Sequence, residues 1–280
     1  MFQKISIALL ATASLSGCVL EDGSDTGSND QQNIQLQLGE IKQGMAEVVV
    51  HVDDHENLAD ASVQVSASMN MVSGIEHGTP MGNAAGSLDT DGNFSAMAYF
   101  LMPSQMNGNK MGDWSLNVTV NGVTKAFPIE VNGMPAMQKL QGDESDQIET
   151  MDGSLVKRPY YIFKRALTTM PTMSSLEVYV AARETMMKYA AIKEGSTLND
   201  GHNSAQLTLD TVSVSMCITD CDDAGNWQAA TASAEQDGVY KTDFMTQANE
   251  GVQVRLIING AEKLKGDGST ASFSATAMSM

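Results

Sequence analysis

Apolar and polar residues alternate with a period of two over long stretches of this chain. That is the repeat of a β-strand with one face in a core and the other in water. Ala61, Val63, Val65, Ala67, Met69 and Met71 alternate with Ser62, Gln64, Ser66, Ser68 and Asn70. Trp114, Leu116, Val118 and Val120 alternate likewise with Ser115, Asn117, Thr119 and Asn121. Asp89-Thr90-Asp91-Gly92 and Asn121-Gly122 punctuate these runs with the residues that tight hairpin turns demand. The pattern predicts an all-β chain whose strands, at 45–53, 61–71, 84–89, 93–102, 114–121 and 123–131, run up and down in an antiparallel, immunoglobulin-like sandwich.

The plan recurs further on. Val212-Ser213-Val214-Ser215-Met216 parallels the run from Val63 to Met71, Gly238-Val239-Tyr240 parallels Gly92-Asn93-Phe94, and residues 251–260 parallel 113–122. With 280 residues the chain is long enough for two such cores. Two core-poor stretches mark the seams: 21–32, rich in Gly, Ser, Asp and Asn, and the acidic 141–153. The expected organisation is a signal peptide (1–17), a lipidated flexible tether (18–35), a methionine-rich sandwich (36–140), an acidic linker (141–153) and a second sandwich (154–280). Residues 183–193 read as a short helix packed on the sheet. The basic-aromatic run 158–165 reads as the first strand of the second sandwich or as a contact surface between the two.

Lys4 gives the amino terminus a positive start, and residues 5–15 form an apolar stretch too short to span a bilayer. Leu15-Ser16-Gly17-Cys18 then resembles a bacterial lipobox. The resemblance implies cleavage before Cys18 and acylation of its sulfur and new amino group, which makes the lipid bilayer a partner. Several acyl chains on one residue anchor stably where one would not. Val19 stands where lipoproteins retained in the inner membrane often carry Asp, which points to the outer membrane, facing the periplasm. With 16 basic against 34 acidic residues, a net charge of −18, nucleic acid is excluded as a natural partner. Such a surface draws cations, yet most of it is a solvated face and makes no metal site by itself. The sequence carries no nucleophile elbow, phosphate loop or zinc signature, so it is not expected to be an enzyme.

Methionine occurs 20 times, and nine of these fall between Met69 and Met137. Alternating strand direction gathers Met45, the loop 69–81, the loop 102–111 and the tail 134–137 at one pole, with His77 among them. Met97 falls mid-strand, and His51 and His55 belong near the opposite pole, whose turns hold no methionine. Thioether sulfur selects Cu(I) over harder cations, and imidazole suits copper too. In an oxidising envelope thiols tend to be tied up as disulfides, leaving methionine as the available soft ligand. The candidate ligands are Met69, Met71, His77 and Met81, followed by Met102, Met106 and Met111. A plainer reading stands beside this one. Met69, Met71 and Met102 continue apolar strand faces and read as core, so Met81, Met106, Met111 and His77, among Gly, Asn and Pro, carry most of the functional weight. A methionine surface also suits a protein partner in the envelope, or the absorption of oxidants by sulfoxidation. The alternative is therefore a non-enzymatic structural or interaction lipoprotein without metal.

Met69, Met71, His77 and Met81, then Gly92-Asn93-Phe94, Met102 and Gly112-Asp113-Trp114 resemble the pattern of the small envelope domains called YtkA-like or FixH-like. In those domains a methionine-bearing loop follows the second strand and a Gly-x-Trp opens a late one. The resemblance covers about a third of the chain, residues 45–131, and implies copper handling or oxidase assembly. Residues 103–111 are an insertion relative to that pattern.

The second half places Cys217-Ile218-Thr219-Asp220-Cys221 where the first has its methionine loop. Four extended residues would outreach a disulfide, so a Cys217–Cys221 bridge needs a tight turn, for which Asp220, Asp222 and Gly225 are suited. A thiol pair binding metal or doing redox work is the other reading. Asp89-Thr90-Asp91-Gly92 lacks the glutamate that would complete a calcium loop and reads as a turn. His202 reads as a polar loop residue.

Overall fold

A computed structural model describes residues 18–20, 33–53, 61–150, 152–200, 205–248 and 251–275. The expected signal peptide, His55 and His202 lie outside them. In chain order the first sandwich comprises β1 (Cys18–Leu20), β2 (Ile34–Leu38), β3 (Met45–Val52), β4 (Ser62–Met71), β5 (Glu76–Gly78) and β6 (Met81–Gly82). It continues with β7 (Ala85–Ser87), β8 (Asn93–Tyr99), β9 (Gln105–Met106), β10 (Asn109–Lys110), β11 (Gly112–Val120) and β12 (Val123–Ile129). One sheet has the order β1-β2-β3-β8-β6 and the other β12-β11-β4-β5, with β7 also on β4 and β9–β10 a separate hairpin. The alternation seen in the sequence is the burial pattern: Val63, Val65, Ala67 and Met69 of β4 and Leu116 and Val118 beside them on β11 share one core with Val48 and Val50 of the other sheet.

The turns follow from their residues. Asn121 and Gly122 both have positive φ (47° and 85°), the conformation a two-residue hairpin needs, and join β11 to β12. The Asp89 carboxylate accepts the N–H groups of Asp91 and Asn93, so this segment is a self-closed turn.

The second sandwich comprises β13 (Met137–Gln141), β14 (Gln147–Glu149), β15 (Leu155–Lys157), β16 (Pro159–Met170), β17 (Met173–Arg183), β18 (Tyr189–Ala191), β19 (Thr197–Asn199) and β20 (Gln206–Thr208). After these come β21 (Val212–Cys217), β22 (Gln228–Ala229), β23 (Thr231–Ala232), β24 (Val239–Phe244), β25 (Val252–Ile258), β26 (Ala261–Lys263) and β27 (Ala271–Phe273). Its sheets run β13-β16-β17-β24-β23 and β22-β21-β25-β26. Strand for strand this is the plan of the first half: β24 stands for β8, β21 for β4 and β25 for β11. The molecule is all-β, two antiparallel sandwiches in tandem.

Several expected boundaries and elements differ. Cys18–Leu20, expected in the tether, pairs with β2, and Ile34 is already core. Residues 137–141, expected to close the first sandwich, pair with β16 instead, so the second sandwich begins ahead of the acidic stretch. That stretch is no spacer: Asp146, 2% exposed, binds Arg158 Nε at 2.9 Å and lies 3.4 Å from Lys263 Nζ. Asp146 also accepts the Tyr160 hydroxyl, and Asp143 pairs with Lys263 at 2.9 Å. Acidic residues that read as solvated face are bound by cations from distant strands, which sequence patterning does not connect. The 183–193 segment holds no helix. Thr185 Oγ1 takes the N–H groups of Met187 and Lys188 in a tight turn, and the chain returns as β18 along β17.

The basic-aromatic run 158–165 is a contact surface between the sandwiches and not the first strand of the second, which is β13. It opens β16, and its Tyr161 and Phe163 join Tyr179, Ala181 and Val239 on the outer face of the sheet, where Tyr99 of the first sandwich packs on them. Tyr99 stacks on Tyr179 with ring centroids 3.9 Å apart and planes 8° from parallel. Met45, Met97 and Leu101 from one side and Met137 and Tyr189 from the other complete this seam. Gly82 and Gly78 permit the approach: a Cβ on Gly82 would meet Gln236 Nε2 at 1.7 Å, and one on Gly78 the Met187 carbonyl at 2.3 Å.

Two outcomes follow. Tyr99→Ala removes a buried ring and lowers unfolding stability by about 3 kcal/mol, read from urea denaturation. Hydrogen bonds from Ser145 and then Lys263 hold the Asp143 carboxyl well below its usual range. A depressed carboxyl pKa stabilises the fold above the unfolded value, and that stabilisation is lost as pH falls below about 4. Asp143→Asn should therefore flatten the acid limb of a stability profile relative to the wild-type chain.

Candidate functional site

The pole expected to gather methionines is built by the ends of β3, β4, β8 and β11. Register places Ile129, Trp114, Met69 and His77 side by side in one row across β12, β11, β4 and β5, all on the core face. Met69 is fully buried there. One step outward, Met71 lies opposite Gly112, where a Cβ would come within 2.8 Å of the Met71 Cα. The loops above are tied together by backbone. Val72 N donates to the Met111 carbonyl at 3.0 Å, Met111 N to the Ser104 carbonyl at 2.8 Å, and Ser104 N to the Val131 carbonyl at 2.8 Å. Trp114 Nε1 donates to the Met102 carbonyl at 3.1 Å and the indole packs edge-on against Phe100.

Met71, Met81, Met102 and Met111 are partly buried and border the same core as Met69. Met81 reaches it from the other sheet, on β6 opposite Ala98. Met106 stands apart, 39% exposed on the β9–β10 hairpin whose turn is Asn107-Gly108. Met45, Met97 and Met137 are committed to the seam, and Met134 is exposed. His51 lies in a separate group, bonded to Asn93 and 3.3 Å from Asp53.

His77 has an environment that its sequence position did not reveal. It lies beside the second sandwich, where Gly78 N donates to the Met186 carbonyl at 2.9 Å. Burial, and secondarily the nearby Arg183 charge, lower its pKa from 6.5, leaving a neutral ring at neutral pH. A neutral imidazole keeps the lone pair that a soft metal needs. Among the described residues no three His, Cys, Asp or Glu side chains converge as a metal-binding group, so a metal at this pole depends on thioether sulfur.

In the second sandwich Cys217 and Cys221 form a disulfide with Cα atoms 5.7 Å apart, closed by the turn in which Asp220 takes positive φ. Trp227 Nε1 donates to the Cys221 carbonyl and carries the Arg255 guanidinium on its face at 3.9 Å. These sulfurs staple a loop at the position equivalent to the methionine loop. Compared with protein-family models and with curated proteins, the chain matches none.

Because the His77 pKa is lowered, the ring contributes stability in full above 6.5 and loses it as pH falls toward the folded value. Side-chain NMR should show His77 titrating below 6.5, and Arg183→Gln should move that midpoint upward.

Proposed function

We propose that this protein is a lipid-anchored envelope lipoprotein whose first sandwich binds Cu(I) at its methionine pole, to buffer the metal or deliver it. The observation that supports this most is the placing of His77 directly across from Met69, with Met71, Met81, Met102 and Met111 bordering the same end of one core. Thioethers with one neutral imidazole are a donor set for Cu(I), and hard cations are poorly served by it. The anchor fits this geometry. Cys18 lies opposite Leu38, at the end of its sheet nearest the turn into Met45, so acylation there sets the pole toward the bilayer. The acidic surface adds a general attraction for cations.

A second reading has its own support. Met69 is fully buried, and its neighbours fill the gap between sheet ends as flexible apolar side chains do. On that reading the protein is a structural or interaction lipoprotein and its methionines only pack.

Anaerobic titration of the full chain with Cu(I) against a competing chelator separates the two. Sub-micromolar binding is expected, and it should be lost in the Met71→Leu/Met81→Leu/Met111→Leu variant. Met→Leu conserves volume and costs less than about 1.5 kcal/mol per site, so the fold should persist. Met106→Leu should leave affinity nearly unchanged. A wild-type chain that retains no copper would leave the packing reading in place.

A further inference from the structure

Beside the seam, two hollows share Thr150, Val156 and Arg183. One, of about 410 Å³, is walled by Ile75 from the first sandwich and by Ile148, Val156 and Met186 from the second. The other, of about 430 Å³, is lined by Lys139, Lys157 and Arg183 and by no carboxylate. In a chain of net charge −18, three cations around one hollow run against the general composition. Lys157 is partnered by Glu144 at 3.0 Å. Lys139 and Arg183 form no ion pair among the described residues. Among the described residues Arg183 Nε is buried without a hydrogen-bond partner, and its Nη1 reaches the Met186 sulfur at 3.6 Å. A buried guanidinium N–H left without an acceptor is costly, and an anion is its natural complement. Glu149 and Asp152 border the apolar hollow, but Asp152 is held by Thr150 and by the Ser154 amide in its own turn.

We propose that this joined site binds a small amphipathic anion, its apolar tail between Ile75, Ile148, Val156 and Met186 and its head on Arg183 and Lys139. An apolar hollow with one precisely placed charge is the usual form of a small-molecule site. The tail covers Ile75, otherwise 47% exposed, and the head supplies the acceptor that Arg183 Nε lacks. The head is a carboxylate or a phosphate, as in a fatty acid or a lysophospholipid. None of its residues is a proposed copper ligand, while Arg183 also acts electrostatically on His77.

Isothermal titration of the full chain with octanoate, octyl phosphate, octyl glucoside and acetate tests this. Octanoate or octyl phosphate should bind while octyl glucoside, with the same tail, and acetate, with no tail, do not. The tighter of the first two identifies the head. Arg183→Gln should weaken binding about tenfold or more, the worth of a charged hydrogen bond. Ile75→Asp, at an exposed position that leaves the fold intact, should weaken it as well. Equal binding of octanoate and octyl glucoside, no binding of either anionic amphiphile, or unchanged affinity in both variants would overturn the proposal.

Discussion

The stack of Tyr99 on Tyr179, at the centre of the seam, is the contact on which the arrangement of the molecule rests. An isolated sandwich keeps the outer faces of its sheets in water. Here one sheet of each is covered on both sides: β8 sends Ala96 and Ala98 into its own core and Met97 and Tyr99 outward into the seam. Aromatic pairs contribute about 0.5–1.5 kcal/mol beyond the area they bury, and Phe163 adjoins both rings of this pair. With the seam closed, His77 comes under the charge of Arg183, and Ile75 and Met186 line one hollow. Separating the sandwiches would take the Arg183 charge away from His77 and the Ile75 wall away from the apolar hollow.

Much of this was legible in the chain. Period-two alternation in 61–71 and 114–121 became β4 and β11, Asn121-Gly122 became the turn its residues require, and the second half repeated the first. The Cys217 to Cys221 spacing, too long when extended, was closed by the turn at Asp220. What escaped was whatever depends on partners remote in sequence. Asp146 and Asp143 read as solvated because Lys263, which binds both, is more than a hundred residues away. The segment 183–193 is the exception: its partner β17 adjoins it in sequence, and it read as helix because the Thr185 hydroxyl, rather than Gly or Asn, closes its turn. Met45 and Met137 carried no mark distinguishing a seam residue from a pole residue, since both kinds are apolar positions near strand ends, and Met97, read as mid-strand, carried no sign of the neighbour it packs on.

The methionines thus divide by what surrounds them. Met45, Met97 and Met137 fill an aromatic seam, Met69 fills a core, and Met71, Met81, Met102 and Met111 border that core where solvent begins. The last group is partly exposed and borders the core in which Met69 pairs with His77 across the ladder, and this sets the proposed copper ligands apart from the packing residues. Thioether flexibility suits both roles, because an unbranched side chain can fill an irregular gap and still turn its sulfur toward a metal. The single Cys217–Cys221 disulfide at the equivalent place in the second sandwich does a different job, holding a loop closed.

The claim on which the rest depends is that the seam makes one rigid body of the two sandwiches, and small-angle X-ray scattering of the full chain tests it most directly. A rigid pair gives a profile that matches the packed sandwiches and does not change between low and high salt, because the seam is apolar. A profile requiring two bodies at variable separation would contradict it, and with it the shared environment of His77 and Arg183.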